Sequence, residues 1–211
     1  MNPRDQEIPT YSVLDIETHG GRFSQLPKGF HLLVAGIKYK EGYSFYANTD
    51  SQLLRLAGFL RDFDGVLVTY HGNRFDLPIL REHFRGVGIG MPLIRVHYDI
   101  LDVITKMTGY RMSLSILASE VLNRTSKPWN HGKNLRIWQR EPDRLVQHNR
   151  EDLDITEEIY KLILSGKPLM IRGRSLKLTV RYGSGPHPPA PLLLSRQGDA
   201  RFCSSHAESI P

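Results

Sequence analysis

Cysteine is nearly missing from this sequence, whose single thiol is Cys203. No disulfide can therefore form within the chain, which excludes the disulfide-rich class of small secreted domains and favours a reducing, cytoplasmic setting. No apolar run reaches the roughly 18 residues that a membrane-spanning helix needs, so we expect no membrane partner. The first ten residues carry Asp5 and Glu7 and contain no apolar segment, a pattern that is not typical of a secretory signal.

The sequence also lacks the clustered ligands of a structural zinc site. None of its nine histidines forms a His-x-x-x-His pair, and there is no cysteine cluster. An excess of one charge is likewise missing from most of the chain. Residues 1–165 hold 21 Lys and Arg against 20 Asp and Glu, whereas residues 166–211 hold 7 against 2. The basic excess of the C-terminal segment is compatible with nucleic-acid binding.

The chain does contain an alternation of strand and helix patterns. Strands are predicted at 11–18, 31–39, 43–46, 65–70 and 93–97, and helices at 50–63, 75–84, 113–122 and 142–165. This order predicts an α/β protein with a mixed central sheet flanked by helices. We assign residues 1–165 to one domain and residues 166–211 to a basic, Pro- and Gly-rich extension. In that extension, 169–182 can form a hairpin, and the composition from Gly183 onward favours disorder.

Two acids lie close together in the first predicted strand. Because side chains alternate along a strand, Asp15 and Glu17 share one face and Leu14 and Ile16 share the other. Adjacent carboxylates are unfavourable unless a cation lies between them. The pair therefore indicates a divalent metal site with further ligands elsewhere in the chain.

A third acid, Asp76, follows the strand that ends near Tyr70 and lies in the first turn of the next predicted helix. A carboxylate is favoured there by the helix dipole alone, so position does not by itself separate a structural acid from a ligand. Because Asp76 follows a strand of the same sheet, we favour a role as a metal ligand over a purely structural role.

The fourth acid lies on the longest predicted helix. His148 and Asp152 are four residues apart and share its apolar, inward face, whereas Asp154, Glu157 and Glu158 are predicted to face solvent. An acid on a buried face needs a partner or a metal, so the pair is either a satisfied core contact or part of a site. His148 is a candidate to accept a proton or to orient water.

Asp15, Glu17, Asp76 and Asp152 together offer four carboxylates from three elements. Hard cations take oxygen ligands, so this set suits two Mg²⁺ or Mn²⁺ ions. Such a pair of ions is a recurring device for cleavage of phosphodiesters.

Three segments resemble the motifs of the DEDD-type 3′–5′ exonucleases of the ribonuclease H-like superfamily. They are Asp15-Ile16-Glu17-Thr18, the stretch from Gly72 to Phe75-Asp76-Leu77-Pro78, and His148-x-x-x-Asp152. The residues of these motifs are most similar to those of stand-alone ribonuclease H-like exonucleases, which are related to the proofreading domain of family B DNA polymerases. The resemblance implies a ribonuclease H-like fold with a five-stranded sheet and the four acids as metal ligands. His148 occupies a position that is Tyr in one branch, and His71 one that is often Asn.

The resemblance implies a metal-dependent 3′–5′ exonuclease that acts on single-stranded ends, on DNA in preference to RNA. Residues beside the motifs or in the basic segment 124–140 are assigned to substrate binding: Thr18, His71, Asn73, Phe75, Lys133 and Arg136. That basic segment also carries two tryptophans, which either stack on bases or fill the core. Two other functions remain open: a catalytically silent nucleic-acid- or protein-binding module, and an RNA-processing or structure-specific nuclease.

Overall fold

In a computed structural model of the protein, residues 10–125, 129–178 and 180 are described. Five strands form the central sheet: β1 (Tyr11–Gly20), β2 (Phe30–Tyr39), β3 (Gly42–Ala47), β4 (Val66–Thr69) and β5 (Val96–Asp99). Six α-helices accompany them: α1 (Asp50–Asp62), α2 (Asp76–Gly86), α3 (Ile100–Thr108), α4 (Leu114–Leu122), α5 (Asn134–Arg140) and α6 (Pro142–Leu164). None of the helices in the described part is long and apolar enough to cross a membrane.

The sheet has the order β3-β2-β1-β4-β5, which places β1 at its centre. β1 pairs antiparallel with β2 and parallel with β4, so the predicted mixed five-stranded sheet is confirmed. The β1–β2 register shifts between Glu17 and Thr18. This irregularity lies directly beside the first acidic motif, where a bulge re-aims the side chains that follow it.

Each face of the sheet carries its own apolar core. Leu14, Ile16 and Leu67 pack with α1 and α2 on one face. Val13, Val68 and the apolar side of α6 pack on the other face. Alternate side chains of β1 therefore enter two different cores, and both sets are buried.

Two details near β5 differ from the sequence-based prediction. The strand begins at Val96 rather than near Leu93, and it is followed at once by the short α3, which was not predicted as an element. The cause is local, because Asp99 ends the strand and also caps the helix by accepting from the Asp102 N–H at 3.2 Å. Ser113 caps α4 in the same way.

A hairpin follows the last helix, as predicted, with β6 (Leu169–Ile171) antiparallel to β7 (Arg174–Leu176). Leu169, Ile171 and Leu178 are buried in the core on the α6 side of the sheet. The domain boundary at residue 165 therefore stays a prediction, since the hairpin packs on the preceding residues. The interpretations of residues 1–9 and of the tail beyond 180 lie outside the described residues.

Candidate metal centre

The centre is built from β1 outward. Asp15 and Glu17 point toward α6, on the same face as the core residue Val13, while Leu14 and Ile16 point toward α1 and α2. The predicted division of the strand into two faces is therefore correct. Glu17 is buried, with a relative exposure of 2%. Two acids are thus held at the central strand of the sheet.

Helix α6 brings a third acid, Asp152, to the same place. One carboxylate oxygen each from Asp15, Glu17 and Asp152 lies within 4.8 Å of the others. His148, one turn earlier, has its Nε2 3.6 Å from Glu17 Oε1 and 3.7 Å from Asp152 Oδ2. Three of the four predicted acids and the predicted histidine are thus brought together.

Two buried asparagines hold the acids of β1 in position. Asn149 Nδ2 donates to Asp15 Oδ2 at 2.6 Å, and Asn134 Nδ2 donates to Glu17 Oε2 at 2.8 Å and to the Thr18 carbonyl at 3.1 Å. Asn134 Oδ1 in turn accepts from Trp129 Nε1 at 2.8 Å. Amide donors fix the carboxylates without neutralising their charge, which leaves the charge available to a cation.

A glycine on β2 permits the approach of Asn149. A Cβ placed on Gly36 would lie 1.9 Å from Asn149 Oδ1 and 2.9 Å from Leu153 Cδ1. Gly36 is paired with Asp15 in the β1–β2 register. Only a residue without a side chain lets α6 pack this closely over β2.

Asp76 lies at the N-terminus of α2, beside the three clustered acids but outside the 4.8 Å group. It is buried, and its Oδ1 accepts from the Ile16 N–H at 3.1 Å. Its negative charge still raises the pKa of Asp15 and of Glu17. The structure therefore places Asp76 close enough to influence the cluster electrostatically.

The carboxyl groups of this cleft have strongly raised pKa values, mainly because they are buried. The pKa of Asp15 and that of Glu17 lie well above their usual range, with the charge of Asp152 as a further cause. Burial raises the pKa of Asp152 to about 7 and that of Asp76 to about 8. Among the described residues, no lysine or arginine forms an ion pair with these four acids. Closely spaced, uncompensated oxygens fit the needs of a divalent cation.

The His148 ring is neutral at pH 7, because burial, together with the nearby His131, lowers its pKa to about 4. The ring stacks on Trp129 with a centroid distance of 3.9 Å. Nε2 is buried and has no hydrogen-bond partner among the described residues. A neutral ring can accept a proton or bind a metal ion, so the proposed proton-handling role stays a prediction.

The predicted substrate-binding residues occupy different environments. Thr18 is buried, and the Phe75 ring packs edge-to-face on Phe30 at 5.3 Å. The Asn73 side chain is engaged by His97 and Asp102.

Three more of these assignments lie on the surface or near it. Both ring nitrogens of His71 lie 3.0–3.2 Å from the Arg111 guanidinium. Lys133 and Arg136 are exposed at the start of α5, which contacts β1. The part of the basic segment around Lys133 and Arg136 thus lies next to the cleft, while Trp138 packs against the core and Trp129 against His148.

A family model for the RNase H superfamily matches residues 13–164. The chain belongs to the RNase H superfamily. This membership supports a nuclease-type function, binding of nucleic acid and use of divalent metal ions. No curated protein gives a significant match to this RNase H superfamily member.

Among solved structures, the family B DNA polymerase of the hyperthermophilic archaeon Pyrobaculum calidifontis is similar, with a TM-score of 0.58 and 20% sequence identity. The alignment covers 74% of this chain but only 24% of the polymerase. This likeness supports the RNase H-like fold. The chain spans about a quarter of the length of that polymerase, so the similarity does not extend to the polymerase as a whole.

Sequence reasoning missed the supporting residues Asn134, Asn149 and Gly36, and it left Trp129 open between base stacking and core filling. Asn149 had a usable signal, since it lies next to His148 and three residues before Asp152 on the inward side of α6. Asn134 had none, because its partner Glu17 lies 117 residues earlier in the chain.

Asp99 fixes the loop that leads to Asp76. Its two oxygens accept from the backbone N–H groups of His71 and Asn73, each at 2.9 Å. We expect Asp99→Ala to lower the free energy of unfolding by about 2–4 kcal/mol, because two backbone donors of this loop lose their buried carboxylate acceptor. Urea unfolding followed by circular dichroism measures this. Asp62→Ala, which removes a fully exposed pair with Arg61, should leave the midpoint unchanged. An equal effect of both variants would contradict the role of Asp99.

The raised pKa values also predict how metal-free protein responds to pH. A carboxyl group whose pKa is higher in the folded than in the unfolded state destabilises the fold once the pH is high enough to ionise it. The stability of the EDTA-treated protein should therefore fall as the pH rises from about 4 through about 7–8, the pKa values of Asp152 and Asp76. Addition of Mg²⁺ or Mn²⁺ at a hundred-fold excess over its Kd should restore about 2.7 kcal/mol, or roughly 5–10 °C in Tm. Differential scanning calorimetry at pH 5 and pH 8 tests this, and a larger metal effect at pH 5 would contradict it.

Proposed function

We propose that the chain is a metal-dependent 3′–5′ exonuclease of the DEDD type that shortens single-stranded nucleic acid, DNA in preference to RNA. The observation that carries the proposal is the convergence of Asp15, Glu17 and Asp152 beside His148 on an RNase H-like sheet. Asp76, buried next to this group, completes the four-acid set of the motif resemblance.

In this proposal Asp15, Glu17, Asp76 and Asp152 hold two Mg²⁺ or Mn²⁺ ions. When bound, such ions lower the pKa of water and stabilise the charge that develops on the departing oxygen. The residues of the chain position the reaction. Asn149 and Asn134 fix the carboxylates, and the exposed Lys133 and Arg136 contribute positive charge for the phosphate backbone beside the cleft.

The direction of cutting is tested with 5′-labelled single-stranded DNA in Mg²⁺ or Mn²⁺. A 3′–5′ exonuclease gives a ladder of products that shorten from the 3′ end, and a terminal 3′-phosphorothioate should block its formation. A single internal cut would instead favour the structure-specific nuclease. Binding without any product in Mn²⁺ would favour the catalytically silent module.

Substrate class is tested by the same reaction on RNA and on duplex DNA of the same sequence. We expect single-stranded DNA to be shortened faster than either, and complete inhibition by excess EDTA. Faster hydrolysis of RNA would overturn the DNA preference, and activity in EDTA would overturn the metal dependence.

A further inference from the structure

A second group of ligand-bearing side chains lies beside the three acids. Glu17, His131 and His148 each offer one potential ligand atom within 4.8 Å of the other two. Glu17 belongs both to this group and to the group with Asp15 and Asp152. Two neighbouring groups of possible ligands therefore share one carboxylate.

The His148 Nε2 atom is the strongest sign that this group has a ligand. It is buried, it has no hydrogen-bond partner among the described residues, and it lies 3.6 Å from Glu17 Oε1. An unpaired polar atom in the interior is unfavourable and rare in folded proteins. Trp129 stacks on the His148 ring and fixes its plane, so Nε2 remains directed at Glu17.

The other two members are also held in place. Asn134 binds Glu17 Oε2, which leaves Oε1 as the oxygen that faces His148. His131 begins a single-turn 3₁₀ helix, and the Asn130 side chain caps that turn by accepting from the Gly132 N–H at 3.1 Å. The exposed His131 ring lies 6.1 Å from the His148 ring, centroid to centroid.

We propose that Glu17, His131 and His148 form a cation site with two imidazole nitrogens and one carboxylate, which takes a transition-metal ion such as Co²⁺ or Zn²⁺ in preference to Mg²⁺. Imidazole is a good ligand for these ions and a poor one for Mg²⁺, which requires oxygen. The neighbouring site of Asp15, Glu17 and Asp152 has only oxygen ligands and accepts Mg²⁺. The proposal rests on the proposed function for the use of this cleft, but binding at the site is measured without any hydrolysis.

This site gives His148 a different role from that of a general base. A nitrogen that is coordinated to a metal ion has no lone pair for a proton. As a base, His148 would contribute equally whichever cation is supplied. As a ligand, it would contribute to the binding of Co²⁺ or Zn²⁺ and little to the binding of Mg²⁺.

The experiment is titration of the metal-free full chain with Co²⁺, followed by calorimetry and by the visible absorption of the ion. We expect one bound ion with the absorption of a nitrogen-ligated centre, in addition to the ions that carboxylates alone hold. His131→Gln and His148→Gln should each lower the affinity for that ion by at least about ten-fold, since even changes to residues that contact the ligands lower metal affinity by about 10- to 100-fold. The absorption should change in both variants.

Two controls make the result specific. His31→Gln alters one ring of the stacked His19–His31 pair, which lies outside both ligand groups, and should leave Co²⁺ binding unchanged. Asp15→Asn should weaken binding of the oxygen-ligated ion, whereas the absorption of the nitrogen-ligated ion should remain. His131 is exposed, so its variant is informative even if substitution of the partly buried His148 perturbs folding.

Unchanged Co²⁺ affinity and absorption in His131→Gln would overturn the second site. Bound Co²⁺ that is lost only in Asp15→Asn, without nitrogen-ligated absorption, would overturn it as well. Neither result depends on nuclease activity. Conversely, a chain that binds Co²⁺ as expected but does not shorten DNA in Mg²⁺ would overturn the proposed function and leave the second site in place.

Discussion

Replacing Asp15 with Asn is expected to reduce hydrolysis of single-stranded DNA by about 1,000-fold or more. The variant removes one of three converging carboxylates, and loss of about 4 kcal/mol of stabilisation by a bound cation corresponds to this factor. The fold should remain intact, because an amide at this position can still accept from Asn149. The melting temperature in EDTA should rise, since one buried charge next to Glu17 and Asp152 is removed.

Asp154→Asn provides the matched control for Asp15→Asn. Asp154 lies on the same helix as Asp152, but it pairs with Lys38 and Tyr43 away from the cleft. We expect this variant to keep its activity and to lose some stability. Rates are measured under single-turnover conditions and melting by calorimetry. Full activity of Asp15→Asn would disprove its role as a metal ligand.

Replacing Gly36 with Ala is expected to damage both stability and activity, although Gly36 has no chemical role. The added methyl group would meet Asn149 Oδ1 and Leu153 Cδ1 inside van der Waals contact. Overpacking of this kind costs about 1–3 kcal/mol. Because Asn149 holds Asp15, its displacement should also move the carboxylate, and a shift of about 1 Å can reduce the rate by about 100-fold.

Gly58→Ala is the control for this substitution. Gly58 lies in α1, and a Cβ at this position meets no atom within 4 Å. Alanine should therefore stabilise the helix by about 0.5–1 kcal/mol and leave hydrolysis unchanged. Urea unfolding and the rate on 5′-labelled DNA are measured for both variants. Wild-type activity in Gly36→Ala would show that the contact between α6 and β2 does not position the acids.

The main fold could be predicted from the sequence because its signals are local. The period of two in β1 identified which side chains share a face, and the apolar spacing in α6 placed His148 beside Asp152. Element β5 was shifted by about three residues. Asp99 and Asp102 were interpreted as acids at a helix start, as the structure has them, but α3 was not assigned as an element, because Asp99 both ends the strand and begins the helix. Such double use leaves no separate boundary signal.

The prediction of a solvated Glu157 was wrong for a different reason. Glu157 is buried, and it pairs with Lys38 at 2.7 Å and Lys161 at 3.0 Å and accepts from the Tyr11 hydroxyl. Helical spacing shows which way a side chain points on the helix, but not that a lysine from β2 lies above it. Asn134 was missed for the same reason, since its partner Glu17 lies on β1, 117 residues earlier in the chain.

The distances along the chain between the members of the centre have a consequence for how the protein is made. Asn134 and Asn149 reach their acids across 117 and 134 residues of sequence. A ribosome delivers β1 long before α6, so the acids of a nascent chain lie without the residues that orient them. The cleft can therefore be completed only after α6 has been synthesised and has docked on the sheet, which makes it a late feature of folding.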